Sequence, residues 1–495
     1  MTNNTTAGAG SCDRKWRKAL RESMTAAART STPRVKMPTL DPEYRVGNNE
    51  EVNEGLTYDQ ALTEASRCLD CPTPGCVEGC PVGIDIPGFI KEIEAGRPTE
   101  AAAVIKQTSA LPAVCGRVCP QEKQCESRCI YNKMKKAPVA IGYLERFAAD
   151  TLLAEKEAHP EQFAEKRPES NGIRVAVVGS GPAGLSFAGS MAARGYEVTV
   201  YEALHEIGGV LKYGIPEFRL PNSVVDAEIA SLRAMGVDFV KDCIVGKTLS
   251  YDDLHAMGFK GIFVASGAGL PRFMGIPGEN LNGVMSSNEY LTRINLMGAG
   301  QPGHDTPVLK GHRVAVVGGG NTAMDSVRTA RRQGAEKAMI VYRRSEAEMP
   351  ARLEEVAHAK EEGVEFMTLH NPVEFIGDEK GRVKAMRVQR MELGEPDASG
   401  RRSPVPVEGA IEEIPVDLVI ISVGVSPNPL IPHAISELEV SKRGTIVVDD
   451  TTMRSSLPDL YAGGDIVRGG ATVILAMGDG RRAAGEMHKA LTGEV

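Results

Sequence analysis

The sequence predicts an α/β chain: a small all-α domain, then two doubly wound domains of Rossmann type, the second inserted into the first. Three observations carry this. Eight of the ten cysteines lie between Cys68 and Cys129, in a stretch without strand pattern. The segment Arg174-Val-Ala-Val-Val-Gly-Ser-Gly-Pro-Ala-Gly184 recurs 139 residues later as Arg313-Val-Ala-Val-Val-Gly-Gly-Gly-Asn-Thr-Ala323. Finally, Ile420-Ile-Ser-Val-Gly424 and then Leu460-Tyr-Ala-Gly-Gly-Asp465 return the chain to the first of the two repeated units.

At 495 residues the chain is long enough for several cores. Apolar residues at 42% and charged residues at 25% describe globular material. No apolar run approaches the roughly 18 residues of a membrane span, so none is expected. A net charge of −8 argues against nucleic acid as a partner, because phosphate binding wants a basic face. Arg14, Lys15, Arg17, Lys18 and Arg21 have no apolar run behind them, so the start does not read as a secretory signal and a cytoplasmic location is expected.

Residues 1–45, with Pro33, Pro38 and Pro42, read as an extension, partly disordered or docked on a partner. Residues 46–165 read as a helical domain, with Tyr58 to Leu69 and Ile86 to Gly96 the clearest helices. Glu155 to Gly172 has linker character. The first dinucleotide domain is expected at 170–310 and 425–495, with the second at 311–424.

The cysteines are spaced Cys68-x2-Cys71-x4-Cys76-x3-Cys80 and Cys115-x3-Cys119-x5-Cys125-x3-Cys129. Disulfides would need an oxidising compartment, and two zincs would favour two Cys-x2-Cys knuckles, of which there is one. Proline follows Cys71, Cys80 and Cys119, as in the Cys-Pro turns of bacterial ferredoxins, which favours iron–sulfur clusters.

Gly179-x-Gly181-x-x-Gly184 follows a strand and opens a helix, the arrangement that brings backbone N–H groups to a pyrophosphate. Glu202 ends the next strand, where an acid binds a ribose diol. Gly318-x-Gly320-x-x-Ala323 repeats the turn, but its next strand ends in Arg343-Arg344. A guanidinium pairs with a 2′-phosphate that an acid would repel, so the second site should prefer NADPH. Two different dinucleotides suggest a flavoprotein reductase with FAD in the first site. Leu460-Tyr-Ala-Gly-Gly-Asp465 resembles the second FAD signature of two-dinucleotide flavoproteins, and the segment from Ala471 to Gly480 would open a helix toward the flavin ring. These domains contain no redox Cys-x-x-Cys. Their one cysteine, Cys243, reads as a packing residue, so electrons must leave through the cysteine block.

About 45 to 490 resembles the glutamate synthase small (beta) subunit family, which includes the large subunit of the bifurcating NADH-dependent reduced ferredoxin:NADP oxidoreductase and the N-terminal half of dihydropyrimidine dehydrogenase. The resemblance rests on Cys68-Leu-Asp-Cys71, Leu111-Pro-Ala-Val-Cys-Gly-Arg-Val-Cys-Pro120, the stretch from Gly208 to Leu220, Gly318-Gly-Gly-Asn-Thr-Ala-Met-Asp325 and Ala462-Gly-Gly-Asp-Ile-Val-Arg468. It implies that Cys68, Cys71, Cys76 and Cys129 hold one 4Fe-4S cluster, and that Cys80, Cys119 and Cys125 hold a second with Glu145 as fourth ligand. Cys115 is the rival for that last place. It implies FAD contacts at Gly179, Gly181, Pro182, Ala183, Gly184, Glu202, Gly209, Val210, Arg219, Gly267, Gly464, Asp465 and Thr472. It implies NADP contacts at Gly318, Gly320, Asn321, Thr322, Ala323, Arg343, Arg344 and Gly424. The implied activity is NADPH oxidation through FAD and two clusters, with electrons passed to another subunit of a homo- or hetero-oligomer. That partner would be a glutamate synthase large chain or, alternatively, a small FAD/2Fe-2S subunit of a bifurcating oxidoreductase; a cluster-bearing assembly subunit without turnover is the remaining reading.

Overall fold

The computed structural model describes residues 15–163, 165–398 and 400–493. Part of the expected disorder, residues 1–14, falls outside these. Residues 15–45, by contrast, form helices Lys15–Glu22 and Ala26–Ser31 and a turn at Pro42–Arg45, docked on the rest of the chain. Buried arginines do the docking. Arg17 Nε donates to Asp70 at 2.9 Å, Arg29 to Glu94 at 2.6 Å and Arg45 to Glu362 at 2.8 Å. A basic run reads as solvated in sequence because its acids lie far along the chain.

The helical domain begins where Thr57 and Gln60 form a capping box for helix Tyr58–Ser66. Asp85 caps helix Ile86–Glu94 through Gly88 N–H at 3.0 Å. Their apolar faces meet those of Pro98–Lys106, Pro112–Val118 and Ile141–Ala158, enclosing Phe89, Ile90, Ile93, Ile105, Val114 and Leu144.

The first dinucleotide domain is a parallel sheet in the order Leu460–Ala462, Gly261–Val264, Arg174–Val178, Glu197–Tyr201, Asp238–Val240. Val178 stands opposite both Tyr201 and Val264, and the strand is buried on both faces, which accounts for its unbroken apolar run. The outermost strand arrives after the insertion, so this domain is split.

The inserted domain repeats the architecture, ordered Val284–Ser286, Leu418–Ile421, Arg313–Val317, Lys337–Tyr342, Glu365–Thr368. Its edge strand precedes the expected boundary at 311, because a three-residue strand carries too little pattern to be read. The return crossing also shifts. Leu418–Ile421 is an inner strand, and the two passages between domains are Leu270–Pro271 and Val425–Ser426, paired antiparallel. One face of the sheet is covered by an unanticipated antiparallel sheet of His370–Gly377, Val383–Pro396 and Arg402–Pro415. Phe375, Met386 and Val388 pack there on Val317, Met339 and Val341. Among the described residues no helix is long and apolar enough to cross a membrane.

Replacing Arg17 by Met should cost about 3 kcal/mol, the lower end for breaking a buried pair, since Arg21 still reaches Asp70 at 3.2 Å. The urea midpoint of the purified protein reads this directly; an unchanged midpoint would show that the N-terminal helices contribute nothing to stability.

Candidate redox site

The first cradle forms where Arg174–Val178 ends. Gly179 has φ +102°, and a Cβ there would lie 2.4 Å from Ala265 O. A Cβ on Gly184 would lie 2.0 Å from Gly179 O, so the helix can approach the turn only as glycine. Gly181, by contrast, faces open space, in front of helix Pro182–Ala192 with Pro182 and Ala183 in its first turn. Buried Glu202 accepts from Ser180 N and Leu204 N, each at 2.9 Å, which holds its carboxylate beside the turn.

Other elements close the walls. Gly209 opens the short helix Val210–Tyr213, and its Cβ would stand 3.0 Å from Gly181 Cα. Gly464 likewise abuts Ala183 at 3.0 Å. Asp465 accepts from Ala471 N at 2.8 Å, and burial pushes its carboxyl up. Thr472 caps helix Val473–Thr492 through Leu475 N at 3.4 Å and takes a hydrogen bond from Gln124 of the helical domain at 3.3 Å. Gly267, φ +72°, follows Ser266, whose Cα borders Gly179.

Arg219 departs from expectation. It donates to Asp325 of the inserted domain at 2.8 Å and stands 3.4 Å from Glu355. Its guanidinium is thus committed to a tie between domains, because a buried cation takes the carboxylates that face it.

In the second cradle Gly318 has φ +145°, with Ser422 O at 2.3 Å from a would-be Cβ. Gly320 is open apart from Pro350 Cγ at 3.9 Å, and buried Ala323 takes the third position. Thr322 is exposed at the start of helix Asn321–Arg332, whereas Asn321 Oδ1 accepts from Arg352 N at 2.9 Å. Gly424, φ +111°, follows the inner strand. The two arginines separate: Arg343 stays exposed at the strand end, while buried Arg344 donates to Arg402 O at 2.8 Å and Asp397 at 2.7 Å. Arg344 therefore anchors the hairpin. Sequence reasoning missed the segment Pro350–Leu353 that packs on this turn; Pro350 was its one local signal.

The cysteines sort into two groups. Cys76 lies within electrostatic reach of Cys68, Cys71 and Cys129. Cys125 lies within reach of Cys119, Cys80 and Glu145. Glycines let these loops meet: a Cβ on Gly75 would stand 2.9 Å from Arg128 O, one on Gly79 2.8 Å from Gln124 O, and one on Gly116 2.5 Å from Arg146 N, beside Glu145. Burial pushes the Cys68 and Cys80 thiols up to about 11. Glu145 Oε1 is buried without a hydrogen-bond partner, and burial, then Glu228, raises its carboxyl to about 8. Such a set of desolvated acidic groups fits a cation-rich centre that would draw off their protons. Among the described residues no three His, Cys, Asp or Glu side chains converge as one bound ion requires, and a four-iron cube is wider than one ion. Cys115 is fully buried, its Sγ 3.4 Å from Met477 Sδ on helix Val473–Thr492. The nine described cysteines form no disulfide, and Cys243 sits in a core with Val245, Leu254 and Phe259.

Residues 45–157 match the family model described as dihydropyrimidine dehydrogenase domain II, 4Fe-4S cluster, and residues 173–480 match pyridine nucleotide-disulphide oxidoreductase. The glutamate synthase [NADPH] small chain of Azospirillum brasilense is 38% identical over 446 residues, 88% of this chain and 90% of that one. The chain belongs to the glutamate synthase small-chain family. It is an NADPH-dependent FAD/iron–sulfur oxidoreductase of that type. The NADP(+)-dependent formate dehydrogenase subunit beta of Moorella thermoacetica is 40% identical over 449 residues, 87% of this chain; this chain spans 60% of that protein. Among solved structures, Mycobacterium tuberculosis FprA in complex with NADPH superposes with a TM-score of 0.54 at 22% identity, over 65% of this chain and 85% of that one, a likeness of fold alone.

Replacing Gly184 by Val should force the helix off the turn, costing about 1–3 kcal/mol of overpacking, and yield protein purified with little flavin. Full flavin absorbance in that variant would contradict the cradle's geometry.

Proposed function

We propose that this chain oxidises NADPH at the second cradle and delivers electrons through FAD at the first and two 4Fe-4S clusters to a partner subunit of glutamate synthase large-chain type. When bound, FAD supplies the conversion of a two-electron hydride into single-electron steps. The protein's part is geometry and electrostatics.

The observation that carries the reading is one continuous path of packed elements. Helix Val473–Thr492 begins beside the first cradle, and along its length Met477 touches Cys115 while a Cβ on Gly478 would come within 2.9 Å of Pro81 O, next to Cys80. The group Cys80, Cys119, Cys125 and Glu145 is thus the nearer to the flavin cradle. In this reading the group Cys68, Cys71, Cys76 and Cys129 passes electrons on to the partner; Cys71, Cys76 and Cys129 are half-buried, as is Cys80. The orphaned Glu145 Oε1 favours Glu145 as fourth ligand, with Cys115, beside Met477 and within hydrogen-bond reach of Cys119, as the rival. Reduced thiols in such number suit a cytoplasmic location.

Arg343 binds the 2′-phosphate in this reading. Arg343→Ala should lower the NADPH-to-NADH ratio of kcat/KM about tenfold, the worth of one charged hydrogen bond, whereas Arg344→Ala should lower thermal stability and leave the ratio alone. The reverse pattern would reassign the phosphate to Arg344.

For the clusters, Glu145→Ala should purify with about half the wild-type iron, and Cys115→Ser with all of it. The opposite result would make Cys115 the ligand.

Isolation of the native complex tests the partner. A large chain with glutaminase and FMN domains supports the glutamate synthase reading, and a small FAD/2Fe-2S chain supports the bifurcating oxidoreductase instead.

A further inference from the structure

One short segment, Pro350–Leu353, runs between the second nucleotide cradle and the Cys119–Cys125 loop, and both sides hold it by its main chain. Toward the cradle, Ala351 N donates to Gly319 O at 3.2 Å and Arg352 N to Asn321 Oδ1 at 2.9 Å. Toward the cysteine loop, Lys123 Nζ donates to Pro350 O at 2.8 Å and Ala351 O at 3.2 Å, and Leu353 N donates to Glu122 at 3.2 Å.

The Arg352 side chain, 3% exposed, then crosses the interface. Its guanidinium donates to Arg117 O at 2.6 Å and to Gln121 Oε1 at 3.0 Å, residues that flank Cys119 on either side. Gln121 N in turn donates to Cys119 O at 2.9 Å. The carboxylate in direct contact is Glu354 at 2.8 Å, with Glu355 and Glu122 also facing the cation. Buried Cys119 lies within electrostatic reach of this guanidinium, and a cation fixed there stabilises negative charge added beside it far more than it would in water. The same residue therefore sets the position of Asn321 by its main chain and the charge environment of Cys119 by its side chain.

We propose that Arg352 is a positioning residue that couples nucleotide occupancy of the Gly318–Ala323 turn to the reduction potential of the second cluster. The inference rests on the reading of Cys119 as a cluster ligand and of the turn as an NADP(H) site. Coupling of this kind is reciprocal: what the nucleotide does to the cluster's potential, the cluster's redox state does to nucleotide affinity.

Redox titration of the full chain followed by electron paramagnetic resonance, with and without NADP+, tests this on wild type, Arg352→Met and Arg352→Lys, with iron content and NADP+ Kd measured alongside. In wild type, NADP+ should shift the midpoint of the second cluster. In Arg352→Met the cluster should be harder to reduce, its oxidised-to-reduced ratio at fixed potential rising about tenfold, or about 59 mV for one electron. NADP+ should also bind about fivefold more weakly and shift the midpoint less. Arg352→Lys should recover the midpoint, since the charge remains, but not the full NADP+-induced shift, since one ammonium cannot span Arg117 O and Gln121 together. Wild-type midpoint and Kd in Arg352→Met would overturn the inference, as would Met and Lys variants that behave alike. Should the Met variant lose iron, Arg352→Lys decides alone, and an undiminished NADP+-induced shift overturns the proposal. A wild type that lacks the second cluster's signal or binds no NADP+ would instead overturn the site reading beneath it.

Discussion

Glu362 is the joint on which the domains hang. Its carboxylate, 2% exposed, accepts from Arg45 of the N-terminal segment at 2.8 Å and from Arg328 and Arg332 of the nucleotide-site helix, each at 2.8 Å. Burial would raise its carboxyl, but the Arg328 and Arg332 guanidiniums hold it well below the usual carboxylate range. Phe218 of the flavin domain lies under both helix arginines, 4.7 and 3.9 Å from its ring centre, and neighbouring Arg219 engages Asp325 on the same helix. Burying this many charges costs several kcal/mol per ion unless each meets its partner in good geometry. Arg328 and Arg332 meet Glu362 within the inserted domain, but Arg45 and the Arg219–Asp325 pair are compensated only when the three parts of the chain dock in this arrangement.

That constraint orients the chemistry. Helix Asn321–Arg332 has its first turn at the second cradle and its later turns at the joint, so the cradle is braced by the same residues that seat the first dinucleotide domain. Helix Val473–Thr492 plays the complementary part, starting at the first cradle and setting Met477 and Gly478 of its second turn against the cysteine loops. Glycines mark each place where backbone must touch backbone, at Gly75, Gly79 and Gly116 among the cysteines and at Gly184 in the cradle.

Much of the fold was legible beforehand. Both apolar strands, both glycine turns and the helical character of 58–66 and 86–94 follow from local pattern. The docked N-terminal helices and the antiparallel sheet over 370–415 were not read. The first helix is only eight residues long and buries Arg17, which sequence reads as solvent-facing, and long strands on a half-exposed sheet mix polar with apolar residues too irregularly to announce themselves. Within the candidate site, Arg219 and Arg344 stood at positions with the right residue type, and each also meets an acid that only folding brings near.

By itself the sequence determined whatever acts through adjacent backbone: the two cradles, their sheet strands, and the eight clustered cysteines that demand a cluster-like use. Tertiary structure alone decided that Glu145 Oε1 is buried without a hydrogen-bond partner and that Arg219 and Arg344 meet carboxylates. The reason is distance along the chain. Arg219 meets Asp325 across 106 residues and Arg45 meets Glu362 across 317, and no local periodicity records such a meeting.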